Sequence, residues 1–203
     1  MKTILFTGHD AAYAPLAAIT VPRMAEYADR HGFDFACLDF SGKLPAPWYK
    51  VPHTLRLLDK YDTVIWLDSD QLLTNFDVVP PSGNGLNLSL DWGVDATEPG
   101  HFNTGAYVAG LDARSIFKWV MDRESEYACG DFWEQAGFRK WYMDNKDMRD
   151  IVTVHGRRVF NSVPALVHES APEPWCIGDW CAHVTMVDLP RRIQIAKEIL
   201  ASL

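Results

Sequence analysis

The first apolar run, Lys2 to Thr7, is short, ends at Gly8 and lacks the three-to-four-residue spacing of an amphipathic helix. It predicts a strand in the middle of a sheet. From Ala14 to Arg30 the pattern changes: Leu16, Ala17, Ile19, Met24, Tyr27 and Ala28 recur at near-helical spacing. Pro15 suits the start of that helix, and Pro22 is expected to kink or interrupt it. His31-Gly32 supplies its stop signal. FDFACLDF, 33 to 40, reads as a second strand, and the two prolines of SGKLPAPW predict irregular structure after it. A helix over Pro52 to Lys60 and a five-residue apolar strand, Thr63 to Leu67, complete the first third.

Strand, helix, strand, helix, strand in this order predicts an α/β domain with a doubly wound, mostly parallel sheet flanked by helices. Such sheets bind ligands beyond the carboxyl ends of their strands. After the Pro80-Pro81 turn, LNLSLDW and NTGAYVAG read as further strands. Helices are expected from about Asp112 to Tyr127 and from Asp131 to Met143. IVTVHGRRVF predicts a hairpin turning at His155-Gly156. A last helix starts near Pro190, with Asp188 as its cap, and runs to the end. No repeat, linker or low-complexity stretch divides the chain, so residues 1–203 are expected to form one domain.

Composition narrows the partners. With 48% hydrophobic and 23% charged residues over 203 positions, the chain can fill one sizeable core. A formal net charge of -8 argues against a nucleic-acid or anionic-membrane surface, so an anionic ligand needs local positive charge. Cys37, Cys129, Cys176 and Cys181 match no common zinc spacing and read as free, partly buried thiols. The lone lysine and five residues before Gly8 are too short for a secretory leader, and no window reaches a membrane span. These features point to the cytoplasm, which makes the sequon Asn87-Leu88-Ser89 a chance match.

The chemistry gathers at VIWLDSDQLLTN, 64 to 75, where Asp68 and Asp70 follow the third strand directly. Two carboxylates at i and i+2 converge on one divalent cation if the chain turns there, and hard oxygen ligands suit Mg²⁺ or Mn²⁺. Such a metal would bind a diphosphate. Asp is also common in exposed turns, so D-x-D by itself serves either purpose.

YDTVIWLDSDQLLTN, followed by DWG at 91–93, FNTGAYVAG at 102–110, WEQ at 133–135 and GDWCAH at 178–183, resembles the GT-A nucleotide-diphospho-sugar glycosyltransferases. The order of motifs is similar to that of their retaining galactosyl- and xylosyltransferases, over most of the chain. The resemblance implies a Rossmann-like GT-A fold, a nucleotide-sugar donor, UDP first among them, an acceptor glycan, protein or small molecule, and hexosyl or pentosyl transfer. It implies that Asp68, Asp70 and His183 hold Mn²⁺ or Mg²⁺. It implies that Thr7 and Gly8 meet the base, and that Lys50 approaches the donor. Asp91, Asn103, Thr104 and Gly105 would line the donor sugar, and Glu134 and Gln135 would lie beneath the anomeric carbon. The lysine that the family places after its late histidine is missing from HVTMVDLPRR; either Arg191 or Arg192 clamps the phosphate instead, or both face solvent at the start of a helix.

Each of these residues also has an ordinary explanation: strand-end glycine, solvated lysine, surface helix carboxylate, structural histidine. Two other functions share the pattern. A haloacid-dehalogenase-like phosphatase uses D-x-D after its first strand, with Thr or Val two residues beyond; here the strand is the third and the residue is Leu72. A binding module could keep the nucleotide-sugar cleft without turnover. The eight tryptophans offer faces on which acceptor sugars stack, although Trp66 belongs inside its strand. Donor sugar and acceptor depend on loop shape, which these motifs do not encode.

Overall fold

The structure, a computed structural model, describes residues 1–92, 100–169, 171 and 173–203. Gly93 of the DWG segment lies outside them. A six-stranded sheet has the order β2-β1-β3-β6-β5-β7. Its strands are β1 (Thr3–His9), β2 (Asp34–Asp39), β3 (Thr63–Leu67), β5 (Leu86–Leu90), β6 (Phe102–Gly110) and β7 (Val152–His155). A separate two-stranded ribbon pairs β4 (Gln71–Leu73) with β8 (Cys181–His183).

The runs that alternate poorly do so because both faces of the sheet are covered. Ile4, Phe6, Val64 and Trp66 point into a core with α2 (Lys50–Leu57), α3 (Arg114–Met121) and α5 (Trp133–Asp144). Leu5, Ile65 and Leu67 point the other way, to Met24, Tyr27 and Ala28 of α1 (Ala14–His31) and to Leu73 and Cys181 of the ribbon. Each such buried side chain contributes about 1.5–3 kcal/mol relative to exposure. The terminal helix α7 (Leu189–Ser202) packs Ile195, Ala196 and Ile199 on Leu16, Leu72 and Ala182.

The sheet is mostly parallel, as the order of elements predicts, but β6 runs antiparallel to both β3 and β5. The site depends on that reversal. Because Leu67 pairs with Ala106, the beginning of β6 lies beside the ends of β3 and β5. Residues 103–105 therefore reach the same sheet edge as Asp68 and Asp91.

Several local expectations are corrected. The helix over 14–31 continues through Pro22. SGKLPAPW ends in a 3-10 turn, Ala46–Tyr49, and α2 starts at Lys50 with Pro52 in its first turn, where a missing N–H costs little. The helix expected over 112–127 is broken: α3 ends at Met121, and α4 (Glu124–Tyr127) follows a bend at Arg123. IVTVHGRRVF is no hairpin. β7 finds a parallel partner in β5, and α6 (Arg157–Phe160) begins after Gly156, with the Ser89 hydroxyl bonded to Gly156 O and Phe160 N. The expected cap is present, since Asp188 Oδ1 accepts from Arg191 N (2.9 Å). Asn87 of the sequon is buried in β5 beside His155. All four cysteines are free, but Cys37, Cys129 and Cys176 are exposed rather than partly buried, and Cys181 is buried. Among the described residues no helix is long and apolar enough to cross a membrane.

Candidate active site

A cavity of about 1000 Å³ opens at the edge where β1, β3 and β5 end and β6 begins. The Asp68-Ser69-Asp70 turn crosses it and is pinned from three sides. Asp68 N donates to Gly105 O (2.7 Å), the Thr20 hydroxyl of α1 donates to Ser69 O (2.7 Å), and Val184 N donates to Asp70 O (3.0 Å). Two carboxylates are thus fixed by backbone contacts rather than left on a free turn.

Asp68 faces the cavity floor. Its Oδ1 accepts from Trp66 Nε1 (2.8 Å) and pairs with Lys50 Nζ (2.8 Å). Lys50 is not the solvated lysine that its loop context suggests. Only 1% exposed, it also holds Glu134 Oε1 (2.9 Å) and donates to Thr104 O (3.1 Å). Burial alone would lower the Lys50 ammonium, but Asp68 and Glu134 outweigh it and keep it charged. For Glu134 burial dominates: although Lys50 and Thr104 oppose the effect, its carboxyl stays above the ordinary glutamate value. The Thr104 hydroxyl donates to Glu134 Oε1 (2.9 Å), while Glu134 Oε2 has no hydrogen-bond partner among the described residues.

Asp70 faces a second cluster. Its Oδ2 accepts from Arg192 Nη1 (2.6 Å). Its Oδ1, also buried, has no hydrogen-bond partner among the described residues and lies 3.4 Å from His183 Nε2. The register of the ribbon places His183 opposite Gln71, next to the turn. Asn161 Nδ2 donates to Leu90 O (3.1 Å), which leaves Asn161 Oδ1 to accept from His183 Nδ1 (2.6 Å). The proton on Nδ1 leaves Nε2 facing Asp70, the arrangement from which a neutral imidazole binds a metal. Burial alone would raise the Asp70 carboxyl, but His183 in its protonated form, Arg192 and Lys50 hold it below the ordinary aspartate value.

The two clusters meet at Gly105. A Cβ there would lie 2.8 Å from Asn103 Oδ1, 3.1 Å from Asp68 Oδ2 and 3.2 Å from His183 Cε1. Glycine keeps the space between the two ligand candidates open. As the side chains stand, no group of three His, Cys, Asp or Glu residues forms a metal cluster among the described residues. The donor set nevertheless fits a hard divalent cation, because a buried carboxylate oxygen and an imidazole nitrogen face each other unbonded at 3.4 Å.

The sugar-lining candidates form a third network. Asp91 Oδ1 accepts from Trp92 N (2.8 Å) and Asn103 Nδ2 (3.3 Å); its Oδ2 accepts from Gln135 Nε2 (3.2 Å) and Arg139 Nη2. Gln135 Oε1 accepts from Thr104 N (3.0 Å), and Gly105 N donates to Asn103 Oδ1 (2.7 Å). Gln135 is therefore bonded at both ends of its amide, and it ties α5 to β5 and β6.

Of the residues singled out from sequence, all but two line the cavity: Gly8, Lys50, Asp68, Asp70, Asp91, Asn103, Thr104, Gly105, Glu134, Gln135 and His183 do so. Thr7 is buried beneath it, and the ring of Phe40 occupies the place a Cβ on Gly8 would take. Arg191 points away, to Glu198 and Leu166 O, whereas Arg192 enters the cavity. On α7, one residue rotates a side chain by about a quarter turn. Asn161, Arg139 and Tyr13 line the cavity with no sequence signal, since each stands alone in its segment.

No protein-family model matches the chain. An uncharacterized alpha-1,2-galactosyltransferase of Schizosaccharomyces pombe is 34% identical over 197 residues, which cover 88% of this chain. The chain spans 44% of that relative's length. A glycosyltransferase involved in glycosylation of the major capsid of PBCV-1 superposes with a TM-score of 0.70 at 16% identity, covering 98% of this chain and 100% of its own. The galactosyltransferase LgtC, solved with donor and acceptor sugar analogs, superposes at 0.62 and 16% identity, covering 98% and 96%. The chain thus has the GT-A glycosyltransferase fold, and in sequence it resembles galactosyltransferases.

Proposed function

We propose that the chain transfers a hexosyl group from a nucleoside-diphosphate sugar, with UDP as the nucleotide, to an acceptor hydroxyl, with retention of configuration and with Mn²⁺ or Mg²⁺ bound. The observation that carries this reading is the facing pair of Asp70 Oδ1 and His183 Nε2 in a cavity short of positive charge. Among the described lining residues, Asp10, Asp68, Asp70, Asp91 and Glu134 stand against Lys50, Arg139 and Arg192. A diphosphate would be repelled by such a cleft without a cation.

A divalent ion held by Asp68, Asp70 and His183 would offset the charge on the leaving diphosphate. The protein's own groups do the rest. Asp91 and Asn103 offer acceptor and amide atoms to the sugar hydroxyls. Glu134, fixed through Oε1 by Lys50 and Thr104, presents Oε2 to positive charge developing at the anomeric carbon, a contribution that grows toward the transition state. Gln135 fixes Asp91 and the start of β6, which places both relative to Glu134.

Calorimetry with UDP, with and without Mn²⁺, tests the donor, and proton NMR of the product from an α-linked donor tests the stereochemistry. Asp70→Asn is expected to lose most Mn²⁺-linked UDP affinity while staying folded, and His183→Ala to raise the Mn²⁺ concentration needed. Equal UDP binding with and without Mn²⁺ in the wild type would remove the metal from this reading. Binding without release of nucleoside diphosphate would favour a nucleotide-sugar-binding module.

A further inference from the structure

We infer that Arg192 is an exchangeable counter-charge: it neutralises Asp70 in the donor-free protein and turns to the donor's diphosphate when a divalent cation takes Asp70. The inference rests on the metal and nucleotide reading proposed above and assigns to one residue the coupling between the two ligands.

Arg192 comes from the first turn of α7, 122 residues beyond Asp70. Its position does not depend on Asp70 alone. Nε donates to Val187 O (2.8 Å), and the guanidinium carbon lies 5.6 Å from the centre of the Tyr13 ring. Only Nη1 is spent on Asp70 Oδ2, at 2.6 Å. With 14% of its side chain exposed, Arg192 lines the cavity and is aimed into it. A cation that draws on both oxygens of Asp70 competes with this ion pair for Oδ2. Once displaced, the guanidinium remains tethered through Nε beside the place where the new anion arrives, and planar guanidinium donors match phosphate oxygens.

The consequence is thermodynamic. Before the nucleotide arrives, Arg192 weakens metal binding because its ion pair must break. After the nucleotide arrives, the same residue strengthens the complex. Metal and diphosphate then bind cooperatively, each raising the affinity of the other by the same factor. The cleft avoids filling with metal alone, which would leave Arg192 without a partner inside it.

Mn²⁺ binding is read by the electron paramagnetic resonance signal of the free ion, with and without UDP, and UDP binding by calorimetry at saturating Mn²⁺. Wild type, Arg192→Ala and Arg192→Lys are compared, with folding checked by circular dichroism; Arg192→Gln replaces the alanine variant if that one does not fold. Loss of one charge-assisted pair predicts about tenfold tighter Mn²⁺ binding without UDP and about tenfold weaker UDP binding with Mn²⁺. Arg192→Lys should fall between. A variant that binds Mn²⁺ no more tightly than wild type, or UDP as tightly, overturns the exchange while leaving the donor reading intact. A wild type that binds neither Mn²⁺ nor UDP overturns that reading, and the exchange with it.

Discussion

Asp68 and Asp70 are one residue apart, yet they belong to differently built halves of one cleft. On the Asp68 side, Lys50, Glu134, Thr104 and Trp66 hold one another, and Glu134 Oε2 is the buried oxygen left without a partner among the described residues. On the Asp70 side, a carboxylate oxygen and an imidazole nitrogen face each other unbonded, and Arg192 reaches Asp70 from a separate helix. The first half is a pre-organised wall in which one ammonium is shared by two carboxylates. The second is poised for a ligand, because a buried oxygen without a partner costs free energy that a bound cation would recover.

The largest expected effect breaks the Asp68 half. Lys50→Met removes the cation between two carboxylates and should cost about 3–5 kcal/mol, since an uncompensated buried charge is left behind. Urea denaturation measures it; a loss comparable to a surface substitution would show that the wall is not held by this pair. Next comes Gln135→Ala, which removes one hydrogen bond from Asp91 and one from Thr104 N. Its expected effect is a tenfold to thousandfold fall in kcat, about 1.4–4 kcal/mol, with donor affinity little changed. Single-turnover kinetics beside calorimetry separates the two. If affinity falls as much as turnover, Gln135 shapes the site rather than the reaction.

Gly105→Ala sharpens the comparison without altering any polar group. The methyl group intrudes between Asp68 and His183, so Mn²⁺-linked UDP binding should fall about tenfold, while Asn103 shifts to relieve the closest contact and the fold survives. Unchanged binding would place the metal elsewhere.

The smallest effect is a difference of sign with pH. Asp70 is held below its ordinary value of 3.8, so its contribution is complete above that value and is lost as pH falls through the lower folded one. Glu134 is held above its ordinary 4.5, so the folded state binds its proton more readily and stability is gained as pH falls through that higher value. Urea midpoints between pH 3 and 6 should show Asp70→Asn removing an acid-side loss and Glu134→Gln removing an acid-side gain. Parallel curves for the two variants would contradict the division of the cleft.

The sequence by itself determined the elements that carry the site and the sheet end at which it lies. Thr63 to Leu67 is too apolar and too short for anything but a strand covered on both faces, and carboxylates directly behind it must emerge at its carboxyl end. The cap at Asp188 was legible for a similar reason, since it depends on contacts within three residues of the chain. The direction of β6 was not legible, because a strand buried on both faces looks the same read up or down; yet that direction brings Asn103, Thr104 and Gly105 to Asp68. Nor could local pattern distinguish a solvated Lys50 from a buried one, or Arg191 from Arg192. Those differences are set by partners 18, 54, 84 and 122 residues away. Helix and strand periodicity records only which side of an element avoids water, whereas an ion pair depends on which distant element packs against that side.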